Sequence, residues 1–359
     1  MKLKLQPRAE PSRVARVAAP LLAALATLIV GFAVFSLLGR NPWRAFAAFF
    51  VTPIATLYGV GELLLKASPL MLIGVGLAVG YRANVWNIGA EGQLTLGAIC
   101  GGGVALALGD SGSPLVLPLM ILAGALGGLA WGAIPALLRT RFNASEILTS
   151  LMLVYVAQLL LSLLVHGPWR DPQGYNFPQS QLFGDAALLP NLLPDTRLNI
   201  GFLFTLAIVA LAWIFMQRSL AGFQMRVAGL APAAAGYAGI SSRRNVWLGM
   251  LIGGACAGIA GVDEAAGPIG QLLPNMSPGY GFAAIIVAFV GRLHPLGIVF
   301  ASLLMSLLYL GGESAQINLA LPSAVTGLFQ GTLLFFLLAA DVLVNFRVRL
   351  VRGVAPATG

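Results

Sequence analysis

The sequence predicts an all-α protein that crosses a membrane about ten times. Three observations predict it. Of 359 residues, 58% are hydrophobic and only 9% charged, against about 25% charged in soluble domains, and the mean hydropathy is +0.88. Apolar stretches of about 17–25 residues, the length that spans the hydrocarbon core as a helix, follow one another along most of the chain. When these stretches are taken as alternating crossings, the basic residues sort onto one side.

The first stretch, roughly 17–38, follows Lys2, Lys4, Arg8, Arg13 and Arg16. It is longer than the apolar part of a signal peptide and is not followed by a small-residue cleavage site, so it reads as an uncleaved span. Further spans are expected at roughly 60–81, 86–108, 115–138, 146–166, 199–217, 245–262, 280–293, 295–312 and 323–346. The eighth, about 14 residues, is too short to cross alone without a tilt or a break. With both termini cytoplasmic, the inner side holds the N-terminal cluster, Arg82, Arg139, Arg141, Arg218, Arg226, Arg243, Arg244, Arg292 and the C-terminal arginines, leaving Arg40, Arg44, Lys66, Arg170 and Arg197 elsewhere. This divides the chain into a cytoplasmic segment 1–16, one transmembrane domain 17–346 and a cytoplasmic tail 347–359.

Two polar connections interrupt the apolar pattern. The outer loop 166–198 is rich in proline and carries Asp171, Asp185 and Asp195, which suits an ordered surface that meets an extracytoplasmic partner. The inner loop 218–244 contains Pro232 where a first helical residue would stand, three alanines that propagate a helix, and Gly239, which can end it in the left-handed conformation. A short helix with little side chain, exposed on the cytoplasmic side, is the expectation.

The net charge of +9 is scattered singly between apolar spans, which excludes a nucleic-acid surface. Cys100 and Cys256 lie in apolar runs, and His166 and His294 stand at the ends of different spans with no ligand cluster, so neither a disulfide nor a metal site is readable. No G-x-x-x-x-G-K-[ST] loop exists, and the only lysines are Lys2, Lys4 and Lys66. The chain therefore carries no ATPase motif of its own, and it lacks a G-x-S-x-G elbow. The remaining pattern, with 44 glycines and polar groups at lipid depth, is that of a transporter. Runs such as GGG at 101–103 and GGACAG at 253–258 are expected helix contacts.

Glu91 is the residue that most needs a reason, since a carboxylate at the bilayer centre costs roughly 2.5–3.5 kcal/mol. It stands in VWNIGAEGQLTLGA, where Gly89 and Gly92 invite an interrupted helix. Backbone freed at that depth is tolerated only when buried in protein or lining a cavity. Glu91 and Gln93 can satisfy such groups or contact a solute, and in an ion-coupled carrier Glu91 would hold the ion. The repeat of Arg82-Ala-Asn-Val-Trp86 in Arg243-Arg-Asn-Val-Trp247 is read as coincidence, because arginine and tryptophan are both favoured at the inner boundary.

The stretch SPLMLIGVGLAVGYRANVWNIGAEGQLTLGA, with NIGAEGQ at Asn87–Gln93 as its core, resembles the signature of bacterial ABC-importer permeases. Those are the permeases of the nucleoside and simple-sugar group, within the branched-chain amino acid and ribose permease superfamily. Similar stretches follow in order: SEILTSLMLVYVA at 145–157, AGFQMRVAGLAPAAAGYAGISSRR at 221–244, AGIAGVDE at 257–264 and GYGFAAIIVAFVGRLHPLGI at 279–298. The resemblance covers roughly residues 40–346. It implies a type II ABC importer-like fold paired with a second homologous permease, two ATP-binding subunits that use the ATP, and an extracytoplasmic solute-binding protein of the basic membrane protein type, all at a bacterial inner membrane.

This chain would then hold no cofactor. Ala231, Pro232, Ala235, Tyr237 and Gly239 would form the helix that couples to the ATPase. Asn87, Glu91, Gln93 and Tyr155 would line or support the path of a small polar solute, a purine nucleoside or a related nucleoside or sugar. Two departures bear on the solute: Ser145-Glu146 and Val154-Tyr155 stand where relatives often have Asn-Glu and Asn-Tyr.

Overall fold

The computed structural model describes residues 2–7, 13–322 and 346–351, together with scattered helical positions between 324 and 340. The helices, in chain order, are α1 Arg13–Leu37, α2 Pro42–Phe50, α3 Leu57–Arg82, α4 Ala90–Leu108, α5 Val116–Phe142, α6 Glu146–His166, α7 Gly201–Arg218, α8 Leu220–Leu230, α9 Pro232–Tyr237, α10 Ser242–Glu264, α11 Tyr280–Val290 and α12 Pro295–Leu319. Among the described residues seven of these, α3 to α7, α10 and α12, are long and apolar enough to cross a membrane. Nine of the expected spans coincide with helices. The tenth, 323–346, falls largely outside the described residues. α11, at 11 residues, is about 16 Å long and cannot cross by itself.

The all-α expectation has one exception. Strand β1, Lys2–Pro7, pairs antiparallel with β2, Phe346–Val351, in the register Lys4↔Arg349. KLKLQ and FRVRL both alternate charged or polar with apolar residues, the period of a strand. That pattern lies in the segments expected only as a cytoplasmic N-terminal segment and a cytoplasmic tail.

By contact the chain divides into two units, 54–307 and 1–53 with 308–359. In the second unit Phe35 stacks on Phe329 with ring centroids 6.1 Å apart and meets Phe46 edge-on at 5.5 Å. The first unit contains the glycine-lined core. α10 packs against α5, α4 and α3, and glycine makes that approach possible. A Cβ on Gly254 would lie 2.4 Å from the Gly128 carbonyl oxygen, and one on Gly258 would lie 2.1 Å from that of Gly124. Two G-x-x-x-G pairs thus interlock backbone against backbone, the contact by which helices associate where lipid offers no hydrophobic drive. α3 is apolar all round and mostly buried between its neighbours, as such a helix must be.

The outer loop is ordered against the end of α10. There the helix widens into a π-turn over Ala265–Ile269, and Leu189 N–H donates to the Ala266 carbonyl. Ser180 exchanges hydrogen bonds with Leu272 through both backbone and hydroxyl. Arg197 Nε donates to Glu62 Oε1 at 2.8 Å and Nη2 to Oε2 at 2.5 Å, which ties the loop to α3. The bond to Glu62 raises the Arg197 pKa above its ordinary range.

Gly258→Val would drive two methyl groups into the α5 backbone. Overpacking of this kind costs about 2 kcal/mol, so the variant is expected to lower Tm in detergent by roughly 5 °C or to leave no monodisperse protein. A wild-type melting curve would contradict the interlock.

Candidate functional site

Between α3 and α4 the chain is not helical. α3 closes with Asn84 at φ 59 and the Val85 N–H on the Gly80 carbonyl, and residues 85–89 are without regular structure up to the N-cap Gly89. Each step of this segment leaves backbone groups that water would satisfy elsewhere. Here side chains satisfy them. Tyr81 Oη donates to the Asn87 carbonyl at 2.9 Å, Ile88 N–H donates to Ser150 Oγ at 3.2 Å, and Gly89 N–H donates to Asn87 Oδ1 at 3.1 Å. Trp86 N–H reaches Glu146 Oε1 at 3.4 Å, and Glu146 is paired with Arg139.

Asn87 and Gln93 close the break. Asn87 Nδ2 donates to Gln93 Oε1 at 2.8 Å while Gln93 Nε2 donates back to Asn87 Oδ1 at 3.3 Å. Both are buried, and the reciprocal amide pair joins the irregular segment to the first turn of α4. Glycine again sets the fit: a Cβ on Gly89 would lie 2.5 Å from the Ser150 carbonyl oxygen, so α6 rests directly on the break.

Glu91, also buried, stands in the first turn of α4, and its Oε2 accepts the Gly281 N–H at 2.6 Å. The Ser277 hydroxyl accepts the N–H groups of Gly279 and Tyr280 at 3.0 and 2.8 Å at the same helix start. Glu91 therefore joins the N-termini of α4 and α11, where two sets of unpaired N–H groups and two positive dipole ends favour a negative charge. The approach is close, since a Cβ on Gly281 would lie 2.3 Å from Glu91 N. The other end of α11 is held to the same break. Phe289 stacks on Tyr81 at 5.2 Å and on Trp86 at 5.7 Å.

Tyr155 is not part of this cluster. It is 57% exposed, on the outer face of α6, whereas Val154 is 1% exposed and packs against Gly92 of α4. The two copies of R-x-N-V-W also differ in structure: the first spans the end of α3 and the break, the second lies within α10.

On the loop between α8 and α10, α9 forms as its residues direct. Pro232 occupies N1, Ile240 N–H returns to the Ala235 carbonyl at 2.9 Å, and Gly239 stands at φ +75 with nothing within 4 Å of a Cβ. This is a helix closed by a left-handed glycine. Ala235 is buried beneath it and Tyr237 is 96% exposed.

The sequence model of the family described as "Branched-chain amino acid transport system / permease component" matches residues 59–338. The chain belongs to this permease family. It is 36% identical to the glucose ABC transporter permease protein of Haloferax volcanii over 97% of this chain and 94% of that one. Identity is 30% with the nucleoside ABC transporter permease protein of Lactococcus lactis subsp. cremoris over 90% of each. It is 28% with the guanosine ABC transporter permease protein of Bacillus subtilis over 95% and 97%. The permease is thus a polytopic membrane component of an ABC transporter, and such components work with ATPase and binding-protein partners.

The residues that sequence reasoning missed are the partners. Glu146 and Ser150 lie on one face of α6, four residues apart, and Ser277 stands two residues before the N-cap Gly279 of α11. Gly281 lies 190 residues from Glu91, and no local pattern connects the two.

Glu91→Ala would remove the acceptor at the start of α11 and is expected to destabilise the permease by about 2 kcal/mol, seen as a lowered Tm. Glu91→Gln keeps one acceptor oxygen and should lose less than half as much. Equal melting of all three proteins would refute the bridge.

Proposed function

We propose that this permease forms one half of the membrane pathway of an importer and moves a purine nucleoside or a related sugar-bearing solute inward by alternating access. Two ATPase subunits supply the energy, a second homologous permease forms the other half, and an extracytoplasmic binding protein delivers the solute at the outer loop 166–198. The membrane is the inner membrane of a bacterial cell with both termini in the cytoplasm. The antiparallel pairing of β1 with β2 supports putting both ends on one side.

The observation that carries this reading is α9, a capped, six-residue helix with its one aromatic side chain almost fully exposed. It has the form of a contact that a partner grips, on a chain that has no ATP-binding loop. Ala231, Pro232, Ala235, Tyr237 and Gly239 then form the coupling element, with ATP used only by the partner subunits. Asn87, Glu91 and Gln93 support the path by holding the break open, because their polar atoms are engaged with protein. Tyr155, exposed on α6, suits the surface shared with the second permease. The protein donors on Glu91 support a bracing role over an ion-binding one.

The solute has a second reading. The most identical of the three relatives above carries the name of a glucose permease, and nucleosides and glucose share a hydroxylated sugar ring. Melting of the cognate binding protein with guanosine and with glucose separates the two.

Reconstituted alone under a pH gradient the chain should be inert. With partner permease, ATPase and binding protein, uptake should follow ATP. Tyr237→Ala is expected to leave Tm unchanged and to reduce ATP-driven uptake about fivefold or more. Gly239→Val forces a branched residue into the left-handed region at a cost of about 1–2 kcal/mol and should likewise separate ATP hydrolysis from uptake. Full uptake in both variants, or uptake by the single chain, would end this reading.

A further inference from the structure

Beneath α9 the permease leaves a cavity of about 210 Å³. Its polar lining comes from Asn84 at the break, Arg139 near the end of α5, and Ser242 and Asn245 in the first turn of α10, with Pro232 and Gly236 of α9 as its roof. Asn245 is 4% exposed, and its Nδ2 has no partner. Buried donors of this kind are rarely left alone. Arg139 gives one nitrogen to Glu146, and the rest of its guanidinium has no partner among the described residues. α10 begins here, 23 residues long and capped by Ser241, so its positive end faces the same space. No aspartate or glutamate lines the cavity, and Asn84 Oδ1 is already taken by Trp86 Nε1.

A donor-lined space with a guanidinium and a helix N-terminus is matched by an oxyanion. We propose that this cavity is an oxyanion site, filled either by free phosphate or by a carboxylate side chain of the ATPase subunit. The second source rests on the reading of α9 as the ATPase contact. The volume exceeds the roughly 30 Å³ share of a single water several-fold, so a phosphate or a carboxylate fits. Occupation connects the cytoplasmic face to the break. The anion engages Arg139, Arg139 holds Glu146, and Glu146 accepts the Trp86 N–H. The two N-V pairs of the repeated motif, Asn84-Val85 and Asn245-Val246, meet at this cavity.

The test uses the permease purified with its partner permease. Thermal unfolding is followed against inorganic phosphate, with chloride at matched ionic strength, and ATPase-subunit binding is measured on the same preparation. Asn245→Asp keeps the shape and repels an oxyanion; Asn245→Ser removes the amide donor without adding charge and serves if the first fails to fold. Saturable stabilisation by phosphate that weakens about tenfold or more in the Asn245 variants identifies the free anion. No response to phosphate, with ATPase affinity reduced about tenfold in the same variants, identifies the side chain. Unchanged phosphate response and unchanged ATPase affinity in both variants overturn the site. Tyr237→Ala, run beside them, separates the two ideas. If it weakens ATPase binding while the Asn245 variants change nothing, the coupling reading stands and the oxyanion site falls. If it has no effect while the Asn245 variants lose the phosphate response, the site stands without that reading.

Discussion

At membrane depth a backbone group that leaves the helical ladder must find its partner in protein, and the structure around the α3–α4 break follows from that constraint. Residues 85–89 abandon helix geometry, and polar side chains from α3, from α6 and from Asn87 within the break replace lost hydrogen bonds. Glu91 extends the same solution to α11. A carboxylate that looks expensive in lipid is placed against two helix N-termini whose N–H groups need an acceptor. The cost of the charge and the cost of two open helix ends offset each other.

The rest of the permease divides into parts that this brace links. α4, α5 and α10 are interlocked through glycine, backbone on backbone, and have little freedom to slide. α11 is short and is attached at both ends to the break, by Glu91 and by the Tyr81–Trp86–Phe289 stack. α9 stands at the N-terminal end of α10, across a polar cavity from Arg139. With an anion in the proposed site, movement imposed on α9 would have a route to the break through Arg139 and Glu146, and from the start of α4 to α11 through Glu91. The route consists of hydrogen bonds and one ion pair, which can exchange partners, set beside a glycine core that cannot.

Much of this was legible in the sequence because it is local. The helix boundaries follow from apolar runs bounded by arginine, asparagine and proline, and α9 from Pro232 and Gly239. The break before α4 was legible from Gly89 and Gly92 beside isolated polar groups. The rest depends on contacts between distant residues. That Glu91 meets Gly281, or that Glu146 and Ser150 serve the break, follows from the packing of α6 and α11, which periodicity does not encode. At positions 154 and 155 a one-position difference in helical register decides that Val154 is buried against α4 and Tyr155 is not. The terminal strands show a further case, since six alternating residues at each end acquire meaning only when the two ends are brought together.

The central claim is that Glu91 holds the start of α11 to the start of α4. Hydrogen–deuterium exchange of the segment 278–284 in the assembled transporter addresses it most directly, because it contains the Gly281 amide that donates to Glu91. The account predicts slow exchange there in the wild type and fast exchange when Glu91 is replaced by alanine, with the α5–α10 glycine contact unchanged. Equal protection of 278–284 in both proteins would contradict it.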